Sequence, residues 1–194
     1  MESMLERAKP RPLPGPPADY LLTTPFRHRP RRFGSRFGTA HERGVWYGSG
    51  DLTTCFAEVA FYRFVFLAGT AAQLGDVQTQ HTVFAAKVRT REGVDLTAPP
   101  FARYRGRISS PTDYQVSQQL GSEMRSAGVA AFRFFSARWS DGTNIGVFTP
   151  DAFASARPIQ SQAWTCLVRP NTAIFVRSAG ARQRQVFEFD RAVF

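Results

Sequence analysis

One carboxylate in this sequence lies where a charged group is costly. Glu58 falls within "LTTCFAEVAFYRFVF", residues 52–66. On a helical wheel it lies between Phe61, Tyr62 and Val65, inside the apolar band. Removing a carboxylate from water is unfavourable unless the group is paired, hydrogen-bonded or neutralised. The residues one helical turn away carry no compensating charge, so Glu58 needs a partner from elsewhere in the fold.

Two interpretations of Glu58 fit this periodicity about equally well. In the structural interpretation, Glu58 forms a buried ion pair with an arginine and holds the helix to a sheet. In the functional interpretation, its partner is a ligand. A carboxylate in a dry pocket can stabilise a developing positive charge or accept a hydrogen bond from a ligand hydroxyl. The pattern alone does not choose between the two.

Further residues could act together with such a carboxylate. Arg36 in "FGSRFG" combines flanking glycines with a planar fork of donors, which suits a pyrophosphate or a carboxylate. Tyr47 ends a short strand, and Ser136 in "FRFFSAR" follows an apolar strand and precedes Arg138. Taken singly, each has an ordinary structural explanation: an exposed loop arginine, a core-edge tyrosine with a hydrated hydroxyl, and a turn serine.

Several common chemistries lack their motifs in this sequence. It contains no G-x-G-x-x-G turn after a strand, no P-loop and no G-x-S-x-G elbow. His28, His41 and His81 are scattered without metal-binding spacing, so no metal site is expected. Cys55 and Cys166 lie in apolar runs and are predicted to be buried free thiols of a reducing compartment.

The charge balance permits an anionic partner without identifying one. The 194-residue chain has a formal net charge of +10 and a pI of about 10.7. Almost all the positive charge is arginine, which suits bidentate binding of phosphate. The arginines concentrate only at 27–36 and 103–107, whereas a nucleic-acid surface needs a dense patch with interleaved aromatic residues. Direct nucleic-acid binding is therefore the less favoured alternative.

Periodicity and breaker residues predict the elements that position these side chains. "GVWYG" indicates a short strand, residues 52–66 a helix capped by Asp51, and residues 111–127 a second helix ended by Gly128. The first helix has hardly any polar face and is expected to be buried nearly all round. The remaining strands are predicted at "HTVFAAKVR", "GVDLT", "VAAFRFFSAR", "TNIGVFT", "AWTCLVR", "AIFVR" and "VFEFD". This order predicts a single compact α+β domain with a twisted, largely antiparallel sheet and few helices.

The N-terminal residues are predicted to form an arm outside the core. "KPRPLPGPP" favours polyproline II and cannot hold a regular hydrogen-bond ladder. Residues 1–24 are therefore assigned to a Pro/Arg-rich arm, and residues 25–194 to the domain. No apolar run approaches the ~20 residues of a membrane span, and the N-terminus has no secretory apolar region. A cytoplasmic location is expected.

The order of these pieces resembles the RES domain family, which is named for a characteristic Arg, Glu and Ser. The family pattern runs through a glycine-flanked arginine, a strand ending in tyrosine, a helix carrying a glutamate, and segments similar to D-L-T, P-S-A-R and N-[LI]-x-[VL]-F. In this chain the pieces are residues 34–37, 45–47, 56–59, 95–97, 135–138 and 144–148. Departures are Ser35 for a usual glycine, Gly38 for a common asparagine and Phe135 for a frequent proline.

That resemblance implies an activity. RES-domain proteins are typically toxins of bacterial toxin–antitoxin modules that act on NAD+, with a fold similar to ADP-ribosyltransferases of the diphtheria-toxin kind. By resemblance, the chain is expected to cleave the nicotinamide–ribose bond as a glycohydrolase or phosphorylase, through an oxocarbenium-like cation. Glu58, Arg36, Tyr47 and Ser136 are the expected catalytic residues. Arg36, Tyr47, Ser136 and Arg138 are the expected NAD contacts, with NAD+ as substrate and no cofactor.

The resemblance also implies a protein partner and leaves the acceptor open. The expected partner is a Xre-like antitoxin that blocks the active site. A homodimer of this chain within that complex is compatible with the resemblance. The first alternative is an ADP-ribosyltransferase that modifies a protein. The second is a non-enzymatic basic module that binds nucleic acid through residues 27–36, and the third is a family member that keeps only the fold. The sequence does not choose between water, phosphate and a protein side chain as acceptor.

Overall fold

The computed structural model describes residues 19–28, 32–71, 75–178 and 184–194. Residues 1–18, which make up most of the predicted arm, lie outside the described residues. The helices are α1 Tyr20–Arg27, α2 Leu52–Ala68, α3 Arg105–Ile108 and α4 Gln115–Ser126. The strands are β1 Trp46–Ser49, β2 Val77–Ala85, β3 Gly93–Asp95, β4 Ala131–Phe135, β5 Thr143–Val147, β6 Gln160–Val168, β7 Thr172–Ser178 and β8 Arg184–Asp190. Short 3-10 turns lie at Ala102–Tyr104, Pro150–Ala152 and Arg191–Val193.

These strands form two four-stranded sheets. The first has the order β1-β5-β4-β3 and is antiparallel except for the parallel β3–β4 pair. The second has the order β2-β6-β7-β8 and is antiparallel throughout. The predicted α+β class with largely antiparallel pairing is confirmed, with the strands divided between two sheets.

Helix α2 packs on the second sheet through an aromatic core. Alternation along β6 turns Trp164, Cys166 and Val168 into this core. Phe56 of α2 stacks on Phe175 of β7 with ring centroids 4.4 Å apart. Burying a phenylalanine of this kind contributes about 1.5–3 kcal/mol. This packing fixes the helix that carries Glu58.

The first sheet has its own aromatic core, which anchors the loop containing Arg36. Phe37 is fully buried, and its ring centroid lies 4.6 Å from that of Phe132 and 4.8 Å from that of Phe134. Such edge-to-face pairs add about 0.5–1.5 kcal/mol beyond the area they bury. Because Phe37 is fixed in the core, the backbone of Arg36 is fixed beside it.

The predicted cap of α2 is confirmed, but its predicted burial is wrong. Asp51 accepts a hydrogen bond from a backbone N–H in the first turn. Tyr62, Val65 and Phe66 are 56%, 50% and 56% exposed. The second sheet covers one side of the helix and leaves an apolar stripe, defined here as these three residues, facing solvent.

Helix α1 crosses the boundary predicted at residue 24. Residues 20–24 of the predicted arm form most of this helix with Asp19 as its N-cap, and Leu22 and Phe26 are buried. Its backbone is tied to β1, since Trp46 Nε1 donates to the Leu21 carbonyl at 3.3 Å. This part of the chain therefore packs against the domain.

Two element boundaries differ from the prediction. Helix α4 begins at Gln115 rather than near Pro111, because the Ser110 hydroxyl accepts backbone N–H groups of the following residues and closes a separate turn. Strand β2 begins at Val77 and ends at Ala85, since it pairs with β6 over its whole length. Among the described residues, no helix is long and apolar enough to cross a membrane.

Candidate active site

A cleft extends along α2 between β1 of the first sheet and β2 of the second. Its larger cavity has a volume of about 460 Å³ and is bounded by β1, the start of α2 and β2. A neighbouring cavity of about 420 Å³ is lined by Glu58. Val59 and His81 line both cavities. Each has the size of a typical small-molecule site, about 300–1,000 Å³.

Glu58 is held by two uncharged donors. Its Oε1 accepts hydrogen bonds from Ser136 Oγ and Asn144 Nδ2, each at 2.7 Å. No described arginine or lysine forms an ion pair with Glu58, and Oε2 receives no hydrogen bond within the described part of the chain. The predicted structural alternative, a buried Arg–Glu pair, is therefore wrong for the described residues.

Ser136 serves both the turn and the carboxylate. Its backbone N–H donates to the Gly142 carbonyl at 2.9 Å. Its Oγ accepts the backbone N–H groups of Arg138 and Trp139 at 3.0 and 3.1 Å. A hydroxyl has one proton and two lone pairs, so all three positions are occupied once the proton goes to Glu58. In this arrangement the Ser136 hydroxyl orients Glu58 and has no vacant hydrogen-bonding position.

Asn144 is a site residue to which the sequence reasoning gave no role. It lies on β5, is 5% exposed, and pairs across the sheet with Ser49 of β1. Its Oδ1 accepts a hydrogen bond from Ser49 Oγ at 2.7 Å, which fixes the amide so that Nδ2 faces Glu58. The available signal was an amide within the otherwise apolar strand "TNIGV", because a buried amide needs partners.

Arg36 lies in a tight loop whose glycine has a defined purpose. Gly34 has φ +72°, and a Cβ there would meet the Gly38 carbonyl, so the turn requires glycine. The Arg36 side chain donates from Nη1 to the Ser110 carbonyl at 2.6 Å. Its guanidinium lies over the Tyr114 ring, 4.5 Å from the centroid. The other N–H groups of the Arg36 guanidinium donate to no described residue.

Tyr47 holds this loop through its hydroxyl. The hydroxyl accepts the Phe37 N–H at 2.9 Å and lies 3.0 Å from Ser35 Oγ. The interpretation of a hydrated hydroxyl is therefore wrong. Ser35, which departs from the family pattern, supplies one of the two contacts. Burial raises the pKa of Tyr47 above its ordinary value, while the residue as a whole is 37% exposed and lines the larger cavity.

Arg138 is a buried cation without a described carboxylate partner. It is 6% exposed, and its guanidinium carbon lies 3.4 Å from the Phe61 ring centroid. Nη2 donates to the Pro111 carbonyl at 2.8 Å, whereas Nε is buried without a hydrogen bond. A desolvated cation–π contact contributes about 2 kcal/mol, which offsets only part of the cost of burying a charge.

Tyr62 lines the Glu58 cavity on the exposed side of α2. Burial and then its interaction with Tyr114 raise the pKa of Tyr62 to about 12, although more than half of the residue is exposed. The charges of Arg138 and Glu58 also act on this hydroxyl. Sequence reasoning placed Tyr62 in the core, whereas the residue lines the cavity of Glu58.

The remaining candidates divide by position. His28 and His41 are exposed, whereas His81 lies in the cleft. Cys166 is buried and Cys55 half-buried, and both are free thiols. Within the described ranges, no group of three or more His, Cys, Asp or Glu residues could hold a metal ion.

The chain matches the family model described as the RES domain over residues 6–169. No curated protein matches it. The matched range contains Arg36, Arg138, and Glu58 with its two hydrogen-bond partners, Ser136 and Asn144. It ends just after β6, so β7 and β8 of the second sheet lie beyond it.

Proposed function

The chain belongs to the RES domain family, and from this membership and the geometry around Glu58 we propose that it cleaves the nicotinamide–ribose bond of NAD+. Membership itself indicates an NAD-related function of the toxin type in general. The proposed reaction is that of a glycohydrolase or a phosphorylase. NAD+ is then a consumed substrate, and no cofactor takes part.

The observation that carries the proposal is how Glu58 is held. Ser136 and Asn144 both donate to Oε1, so they orient the carboxylate without neutralising its charge. Oε2 is left for a ligand. Cleavage builds positive charge on the ribose ring, and a preoriented anion beside the ring stabilises that charge.

The proposed reaction breaks one bond at C1′ of the ribose and forms another. The C1′–N bond breaks and its electron pair leaves with nicotinamide, which departs as a neutral molecule and needs no strong general acid. The oxocarbenium ion then forms a new C1′–O bond with water, which loses a proton, or with a phosphate oxygen. Glu58 faces the cation in both routes. Ser136 and Asn144 are positioning residues, because they act through Glu58.

Arg36 and Arg138 are proposed to bind the pyrophosphate. Each places its guanidinium over an aromatic ring and donates to one of two consecutive carbonyls, those of Ser110 and Pro111. Neither has a described carboxylate partner, so no described side chain neutralises their charges. Tyr47 supports this role by tying the Arg36 loop to β1, and its exposed ring supplies a wall of the cleft.

A protein partner is also proposed. The apolar stripe of α2 lies beside the Glu58 cavity, since Tyr62 and Phe66 line that cavity. A Xre-like antitoxin that covers this stripe would block the cleft. The same stripe favours the second candidate function, transfer of ADP-ribose to a protein, because an acceptor protein must also dock next to Glu58.

The test is to follow nicotinamide release from NAD+ by the purified protein, with and without inorganic phosphate, and to add labelled NAD+ to a cell lysate in parallel. The proposal predicts nicotinamide release in the purified reaction, with free ADP-ribose or its phosphate as the second product. Release only in lysate, with label retained on a protein band, would replace it with ADP-ribosyl transfer. No release in either reaction would refute both.

A further inference from the structure

An arginine and a histidine lie beside Glu58 in its cavity, one on α2 and one on the second sheet. Arg63 lies on α2 and His81 on β2, and both line the cavity of about 420 Å³ together with Glu58. Alternating burial along β2 turns Thr79 and His81 toward α2. Sequence reasoning gave Arg63 no role and described His81 only as a scattered histidine.

His81 contacts two neighbours through one ring nitrogen. Its Nε2 lies 2.9 Å from Thr79 Oγ1 and 3.5 Å from Arg63 Nη2. A guanidinium only donates, so the tautomer that accepts from Arg63 at Nε2 carries its ring proton on Nδ1. Burial and then the charge of Arg63 lower the pKa of His81. The neutral ring packs edge-on against Phe175, with centroids 6.1 Å apart, and offers one N–H donor.

Arg63 is a half-buried cation with N–H donors that form no described hydrogen bond. No described carboxylate pairs with it, and its described hydrogen bond is the long one to His81. Most of its N–H donors are therefore available. A planar guanidinium fork matches the oxygens of a phosphate group, and a neighbouring imidazole N–H can supply a further donor. The negative charge of Glu58 in the same cavity opposes an anion, so binding there needs both donors.

We propose that Arg63 and His81 form a phosphate-binding subsite in the cleft, separate from the Arg36–Arg138 contacts. The bound group is either inorganic phosphate, which would make it the acceptor for the ribose, or a phosphate of the dinucleotide itself. The subsite's place in catalysis rests on the proposed NAD+ cleavage. Phosphate binding by these two side chains does not.

The binding test follows the His81 ring signals by NMR, assigned with His81→Gln, while the protein is titrated at constant ionic strength. One arm uses inorganic phosphate and the other ADP-ribose. The proposal predicts a saturable change in the His81 chemical shift. The dissociation constant obtained from that change should rise about ten- to hundredfold in Arg63→Gln, because a charged hydrogen bond to the ligand is lost. Arg169→Gln is the matched control, since Arg169 pairs with Asp76 and is half exposed.

Each outcome decides the question. A shift with inorganic phosphate assigns the subsite to the acceptor, and a shift with ADP-ribose alone assigns it to the dinucleotide. No shift in either arm, or equal affinity in Arg63→Gln, overturns the proposal, because a merely structural Arg63 would leave ligand affinity unchanged. If wild-type protein shows the shift but releases no nicotinamide, the proposed function fails and the subsite stands. If the protein releases nicotinamide but the His81 signals do not shift, the proposed function stands and the subsite fails.

Discussion

Replacing Ser136 with alanine separates a positioning role from a direct substrate contact. Ser136→Ala removes the 2.7 Å hydrogen bond to Glu58 Oε1 and leaves two backbone N–H groups without their acceptor. A hydrogen bond to a charged group contributes about 1.5–3 kcal/mol. If that contribution is realised in the transition state, kcat falls about 10- to 150-fold. KM for NAD+ should stay nearly constant, because no free position on Ser136 remains for the substrate.

The assay is steady-state nicotinamide release by wild type, Ser136→Ala and a matched control. Ser109→Ala is that control, since Ser109 is also a buried serine and donates to the Phe135 carbonyl at 2.7 Å. Both variants lose a hydrogen bond of similar length, so thermal denaturation should show a loss of stability in each. A rise in KM for Ser136→Ala with kcat unchanged would refute the positioning role and favour the direct NAD contact expected from the family resemblance.

Three further substitutions test neighbouring parts of the account. Asn144→Asp replaces a donor to Glu58 Oε1 with a second acceptor at the same short distance, so two carboxyl groups compete for one position. We expect kcat to fall and Asn144→Gln, which keeps a donor, to lose less; wild-type kcat in Asn144→Asp would contradict this. Tyr47→Phe leaves the Phe37 N–H without its acceptor, and should lower the free energy of unfolding by about 1–3 kcal/mol and raise KM for NAD+, whereas unchanged stability and KM would argue against loop anchoring. Although burial raises the pKa of Glu42, hydrogen bonds and a nearby guanidinium lower it overall. Its stabilisation is therefore present above the ordinary carboxyl pKa and is lost as pH falls, so urea titrations of wild type and Glu42→Gln should converge in acid; a gap independent of pH would contradict the shift.

The sequence predicts the elements whose ends are marked by capping or breaking residues. Asp51 and Gly69 bound α2, and alternating apolar residues mark most strands. The burial of α2 could not be predicted, because its apolar residues surround the axis and the pattern does not say which side a sheet will cover. Only the tertiary arrangement shows that Tyr62 and Phe66 remain exposed.

The site could be predicted only in part for a similar reason. The burial argument identifies Glu58 as needing a partner, but its partners lie 78 and 86 residues further along the chain. An uncharged serine and an asparagine hold its Oε1, where charge reasoning predicts an arginine or a ligand. The Tyr47 hydroxyl likewise appears hydrated from its place at a strand end, whereas the folded loop around Phe37 encloses it.

The most direct measurement of the central claim is nicotinamide release by Glu58→Gln, which keeps the volume and one carbonyl oxygen of the side chain but removes its charge. The account predicts a normally folded variant whose kcat falls by about 100-fold or more, the size of a lost electrostatic contact in a transition state. Glu188→Gln, an exposed glutamate of β8, should keep wild-type activity. Wild-type turnover by folded Glu58→Gln would contradict the account.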